Sequence, residues 1–154
     1  MATATLERAH RFSLQSKRSG TTYDIAYAPP LASPATGNPP QDCPIFIALD
    51  SSLTFGTALE RSSMYAAMGV LRPSVVVGVG YPGDVFASLT ARTVDFTPET
   101  PAGKHAEMAG LIGSDYGGAD AFLDFLLDEL LPAVRARCPE ASQDRVILHG
   151  FSLG

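Results

Sequence analysis

The chain has 154 residues, 45% hydrophobic and 18% charged, with a formal net charge of -5. Those values fit one soluble globular domain with a core of its own, and the acidic balance argues against a nucleic-acid or anionic-membrane surface. Two cysteines, Cys43 and Cys138, are too few for a disulfide framework and lack metal spacing, so both read as lone reduced thiols.

The first residues, Met1-Ala-Thr-Ala-Thr-Leu-Glu7, carry no basic-then-apolar signal segment, and no later stretch approaches the length of a membrane span. The expected compartment is the cytoplasm. His10, His105 and His149 are scattered, which gives no reason to expect a structural metal.

Residues His10 to Ser16 and Thr22 to Ala28 alternate apolar and polar side chains around Gly20, a hairpin pattern. Pro29 to Cys43, with five prolines and Gly37-Asn38, reads as a loop within the domain. Pro44-Ile-Phe-Ile-Ala-Leu49 reads as a buried strand ending at Asp50-Ser51-Ser52. A turn at Phe55-Gly56 is expected next, then a helix opened by a Thr57/Glu60 capping box and running to about Gly69. Ser74 to Gly80 is a second buried strand. Tyr81 to about Gly118, rich in Gly, Pro and Thr, reads as a long loop, and loops of that size are usually functional or mobile.

The clearest helix follows. Leu123, Leu126, Leu127, Leu130, Leu131 and Val134 recur at helical spacing and predict one apolar face. Asp120, Asp124 and Asp128 come early and Arg135 and Arg137 late, the order a helix dipole favours. Pro132 predicts a kink or a restart. Val146-Ile-Leu148 then predicts a strand buried on both faces. With two strand–helix–strand crossovers, the order implies a mostly parallel sheet with helices on its faces.

That last strand runs into Gly150-Phe151-Ser152-Leu153-Gly154, a G-x-S-x-G. After a buried strand this pattern marks a nucleophile elbow: glycines remove the Cβ atoms that would clash in a sharp turn, and the serine hydroxyl is lifted above the sheet edge. Ser152 is the candidate nucleophile. The N–H of Leu153 is the first candidate oxyanion donor, and the turn after the third strand places Ser51 as the second.

Strand order and elbow together resemble the α/β-hydrolase fold. Val77-Gly-Val-Gly-Tyr81, Arg92-Thr-Val-Asp-Phe-Thr-Pro98, Gly117-Gly118 and His149-Gly-Phe-Ser-Leu-Gly154 resemble the esterases related to esterase D and the siderophore (enterochelin-type) esterases. The resemblance implies the front half of a serine esterase acting on small carboxylic esters, with no cofactor. In that family the turn commonly reads Leu-Asp-Gly. Here it is Leu49-Asp50-Ser51, which leaves an N–H but less backbone freedom. Asp50, Tyr81, Arg92 and Asp95 are candidate pocket residues, with a local ion pair between Arg92 and Asp95 as the plainer alternative.

In this fold the acid and the histidine follow the serine, so both are expected beyond residue 154. His149 is on the strand itself, His105 is in the long loop and His10 is on the first strand. None of them is placed to act as base, and the 154 residues alone are expected to be inactive. The unpaired last strand is expected to promote self-association. A competing pattern, Gly78-Val-Gly-Tyr-Pro-Gly83, has the form of a dinucleotide-binding turn. However, Pro82 sits where a helix should start, and Asp95 follows by only about a dozen residues, too few for the ribose-binding carboxylate. A non-catalytic fragment or pairing module is the remaining alternative.

Overall fold

The computed structural model describes residue 6 and residues 8–34, 36–83, 85–99 and 116–154. Strands β1 (His10–Gln15) and β2 (Thr22–Ala28) form the expected hairpin, with Phe12 opposite Ile25 and Leu14 opposite Tyr23. Strand β3 (Cys43–Leu49), helix α1 (Ser51–Ala67) and strand β4 (Val75–Gly80) make one crossover. Helix α2 (Val85–Asp95) follows, then a helix in three consecutive pieces and strand β5 (Ala141–His149). The three pieces are α3 (Ala119–Asp124), a π-helical stretch (Phe125–Leu130) and α4 (Leu131–Arg137).

The sheet order is β1-β2-β4-β3-β5. It is mixed rather than mostly parallel, because the β1–β2 and β2–β4 pairs are antiparallel while β4–β3 and β3–β5 are parallel. The hairpin docks its second strand directly against β4, reversing direction on that side of the sheet.

Alternation along the strands divides the core between the two faces. Tyr23, Ile25, Ile45, Ile47, Val75, Val77 and Val79 pack with Phe122, Phe125, Leu130 and Val134. Ala26, Ala28 and Val76 pack with Phe55 and Leu59 of α1. The α1 face therefore carries the small residues, and Gly78 and Gly80 share the parity of Val76. A Cβ on Gly78 would lie 2.9 Å from Phe55 Cβ and nearer still to Ser51 Oγ, and one on Gly80 would lie 3.1 Å from Ser51 Cβ. These two glycines let the start of α1 sit down on β4. Both belong to β4, Gly80 as its last residue, which does not favour reading them as a phosphate-binding turn.

Several sequence expectations need correction. Helix α1 begins at Ser51, so Thr57 and Glu60 lie within the helix and on its exposed side instead of capping it. Burial of Phe55 and Leu59, one turn apart, extends the helix back through Gly56. The segment read as one long loop contains α2, whose Arg92 and Asp95 are helical. His105 lies outside the described residues.

In the three-piece helix, Leu123 and Leu127 are about half exposed, and Phe122 and Phe125 occupy the buried face instead. The π-helical stretch explains the slip. The Leu131 N–H bonds to the Leu126 carbonyl five residues back, which widens the turn and brings both Leu126 and Leu131 to the core. Pro132 then sits in the first turn of α4, where its missing N–H costs least.

Strand β5 departs most from expectation. Val146, Ile147 and Leu148 are 39%, 50% and 51% exposed, because β5 is the last strand of the sheet and, among the described residues, only β3 borders it. Both cysteines are buried and free. Among the described residues, no helix is long and apolar enough to cross a membrane.

Candidate active site

The ends of β3, β4 and β5 bring three segments together: the Asp50-Ser51-Ser52 turn, helix α2, and the Gly150–Gly154 turn. Parallel pairing of β3 with both β4 and β5 sends their carboxyl ends to one edge of the sheet, the edge where open α/β sheets place their ligands.

Ser152 has φ 59, a left-handed conformation uncommon for a residue with a Cβ. The turn is closed by the Gly154 N–H donating to the Phe151 carbonyl at 3.1 Å. A Cβ on Gly150 would overlap the carbonyl carbon of Gly154, so a side chain there would force the turn to shift. The Ser152 side chain is exposed and, among the described residues, has no hydrogen-bond partner.

Asp50 also has a left-handed backbone, φ 57 and ψ 51, and it precedes the first residue of α1. The conformation that glycine would favour thus falls on Asp50, a residue type that tolerates it, and not on Ser51. Serine at position 51 therefore imposes no strain. The Asp50 carboxylate does not cap α1. It faces Arg92, which donates from Nε to Oδ1 at 2.8 Å and from Nη2 to Oδ2 at 3.0 Å. The same Nη2 donates to the Phe151 carbonyl at 3.2 Å.

Asp95 accepts hydrogen bonds from the Tyr23 and Tyr81 hydroxyls, both at 2.8 Å, deep inside the protein. Burial pushes its carboxyl above the ordinary range, partly offset by the two phenol donors. Burial, and then the neighbouring carboxylate, push both phenols well up, so they remain donors across the physiological range. Arg92 and Asp95 therefore do not pair with each other, which corrects the local-ion-pair alternative. Although three residues apart in α2, they reach different partners: Arg92 reaches Asp50, and Asp95 reaches Tyr23 and Tyr81.

Two clefts open on this edge. One, of about 230 Å³, is lined by Asp50, Ser52, Leu53, Ser88, Leu89, Arg92, Phe151 and Ser152. The other, of about 280 Å³, includes Arg11, Asp24, Ser51, Ser52, Tyr81 and Ser88. Tyr81 and Ser51 thus face the second cleft, Asp50 and Arg92 the first, and Asp95 neither. Ser52 and Ser88 line both, and sequence reasoning did not find them. Ser52 adjoins the Asp50-Ser51 turn, the only signal for it, and Ser88 was hidden by the loop reading of α2.

The two described histidines are engaged in ring contacts. His149 stacks on Phe46 with ring centroids 5.9 Å apart, and His10 lies 5.2 Å from Tyr27 at the opposite side of the sheet. Among the described residues, no group of three or more His, Cys, Asp and Glu is gathered to hold a metal ion. The dinucleotide alternative is not favoured, because Gly78 and Gly80 belong to β4.

No family model matches the chain. It is 34% identical over 154 residues to the siderophore triacetylfusarinine C esterase of Aspergillus fumigatus, covering 97% of this chain and 48% of that protein. It is 32% identical over 147 residues to the ferri-bacillibactin esterase BesA of Bacillus subtilis, covering 92% of this chain and again 48% of the relative. Among solved structures, the siderophore hydrolase EstB from Aspergillus nidulans superposes with a TM-score of 0.77 at 30% identity, covering 99% of this chain and 52% of that one. The chain spans about half the length of the curated relatives it matches. It is thus a relative of the siderophore esterases with the α/β-hydrolase fold, matched over about half of their length.

Proposed function

We propose that this chain carries the nucleophile half of a serine hydrolase acting on carboxylic esters, with Ser152 as nucleophile. The observation that carries the proposal is the left-handed Ser152 in the lining of a cleft, held in a turn that brings Gly154 back against Gly150. The relatives' names extend the reading to esters of siderophore type.

In the reaction, Ser152 Oγ attacks the ester carbonyl carbon while a base removes its proton. The C=O π pair moves to the carbonyl oxygen as the tetrahedral intermediate forms. The N–H groups of Leu153 and Ser51 receive that oxyanion, and loss of one such donor costs about 3 kcal/mol. Collapse of the intermediate expels the alcohol, which takes the proton from the base, and water then releases the acid.

His149 stacks on Phe46 and His10 lies against Tyr27, so neither serves as the base in this reading. In this fold the acid and the histidine follow the serine, and the 154 residues by themselves are expected to be inactive. The free buried thiols Cys43 and Cys138 favour a reducing compartment, the cytoplasm. The partner is a small-molecule ester rather than nucleic acid or membrane.

The test is reaction with an activated aryl phosphonate, followed by peptide mass mapping, on the 154-residue chain and on any longer product of the same reading frame. The expected adduct is on Ser152, absent from Ser152→Ala, and it forms rapidly only in the longer product. An adduct on another residue, or none in the longer product, would leave the fold as ancestry and favour a non-catalytic pairing module.

A further inference from the structure

We infer that Arg92 is a positioning residue that locks the turn bearing Ser51 to the turn bearing Ser152 and Leu153. The inference rests on the reading of Ser51 and Leu153 as the oxyanion donors, because it assigns the group that sets their separation.

Arg92 reaches both turns at once. Its guanidinium grips the Asp50 carboxylate through two parallel hydrogen bonds, 2.8 and 3.0 Å, one residue before Ser51. The nitrogen that makes the longer of these also donates to the Phe151 carbonyl at 3.2 Å, one residue before Ser152. Its third side is fixed by the Phe96 ring, whose centroid lies 5.2 Å from the guanidinium carbon. The side chains of Arg92 and Asp50 are only 12% and 11% exposed, so water competes weakly for the two bonds between them, while the bond to the Phe151 carbonyl lies at the exposed end of the clamp.

Both turns need such a clamp. Asp50 and Ser152 each hold a left-handed backbone, a conformation that persists when its surroundings over-determine it. The Phe151 carbonyl accepts from Arg92 and also from the Gly154 N–H, so the bond that closes the elbow shares its acceptor with the clamp. The arrangement also specifies arginine. A planar fork can hold a bidentate carboxylate and a carbonyl together, whereas a lysine ammonium acts as one compact point charge on a flexible stem.

The test is backbone ¹⁵N relaxation of the 154-residue chain, comparing wild type with Asp50→Asn, Arg92→Lys and Arg92→Gln. In the wild type, the Phe151 and Leu153 amides should have order parameters near those of rigid backbone, about 0.85. In Arg92→Gln and Arg92→Lys both should fall toward the flexible range, below about 0.6. Asp50→Asn touches nothing in the elbow, yet it should loosen the same amides by releasing the guanidinium. Should the Arg92 variants fail to fold, Asp50→Asn alone decides the matter. The Val77 amide in β4 should be unchanged throughout, which separates a local clamp from general loosening.

A mobile elbow in the wild type would overturn the inference, as would order parameters at Phe151 and Leu153 indifferent to Asp50→Asn. Coupling between the turns without phosphonate labelling of Ser152 would instead sink the esterase reading and leave the clamp standing.

Discussion

Gly78, in the middle of β4, and Ser51, the first residue of α1, approach so closely that no side chain fits between them. A Cβ on Gly78 would press on Ser51 Oγ and lie 2.9 Å from two carbons of Phe55, a core residue that cannot easily retreat. This contact sets the height of α1 above the sheet, and with it the position of the Ser51 N–H. Gly78→Ala should therefore cost about 1–3 kcal/mol by overpacking. Gly80→Ala, whose nearest contact is a milder 3.1 Å, should cost less. Chemical denaturation midpoints of the two variants check the ranking, and equal stability of Gly78→Ala and wild type would show that α1 can lift without penalty.

The buried Asp95 makes a pH-dependent contribution whose sign can be worked out. Its carboxyl is raised by burial, so folding favours the protonated form. The stability this contributes is fully present below the unfolded carboxyl value of about 3.9 and is lost as pH rises through the higher folded value. The slope from this one proton cannot exceed about 1.4 kcal/mol per pH unit. Asp95→Asn keeps an acceptor for the Tyr23 and Tyr81 hydroxyls and removes the charge. Its stability relative to wild type should therefore improve as pH rises from about 4 toward neutrality. Paired urea titrations at several pH values measure this, and a relative loss with rising pH would mean that the two phenols stabilise the carboxylate more than burial penalises it.

The elements legible in the sequence were those with strong local signals. Alternation gave the hairpin, the Val75–Gly80 run gave β4, and the G-x-S-x-G pattern marked the turn at Ser152. The parts missed were set by tertiary contact. Helix α1 starts six residues before its apparent capping box because Phe55 and Leu59 bury against Ala26, Ala28 and Val76, with Phe55 also close over Gly78. Helix α2 sits among Gly, Pro and Thr residues and has an unremarkable apolar pattern, yet it supplies both Arg92 and Asp95. Their partners, Asp50 at a separation of 42 residues and Tyr23 at 72, could not be read from local spacing. Exposure of β5 was hidden for the opposite reason. Three consecutive apolar residues encode a strand for a sheet interior, and only the strand order says whether a neighbour is there.

That exposed strand carries the last prediction, self-association of the 154-residue chain. β5 pairs with β3 on one side and, among the described residues, presents its other edge without a strand beside it. Pairing with β3 puts Val146 and Leu148 on the face of Ile45 and Ile47, and Ile147 on the face of Phe46, so both faces of the edge are apolar. Phe151 and Leu153, 74% and 42% exposed, extend the apolar surface past the strand end. An edge of this kind templates pairing with another copy. Antiparallel pairing about a two-fold axis through Ile147 would set Ile147 against its own counterpart and Val146 against Leu148 of the second copy, keeping like faces together. Light scattering should therefore report a mass above that of one chain, rising with concentration. Ile147→Lys, which places a charge at the centre of the edge, should return the chain to a monomer. Its thermal stability should change little, because Ile147 is half exposed in the single chain. A monomeric wild type at high concentration, or an Ile147→Lys variant as associated as wild type, would show that this edge is not where copies meet.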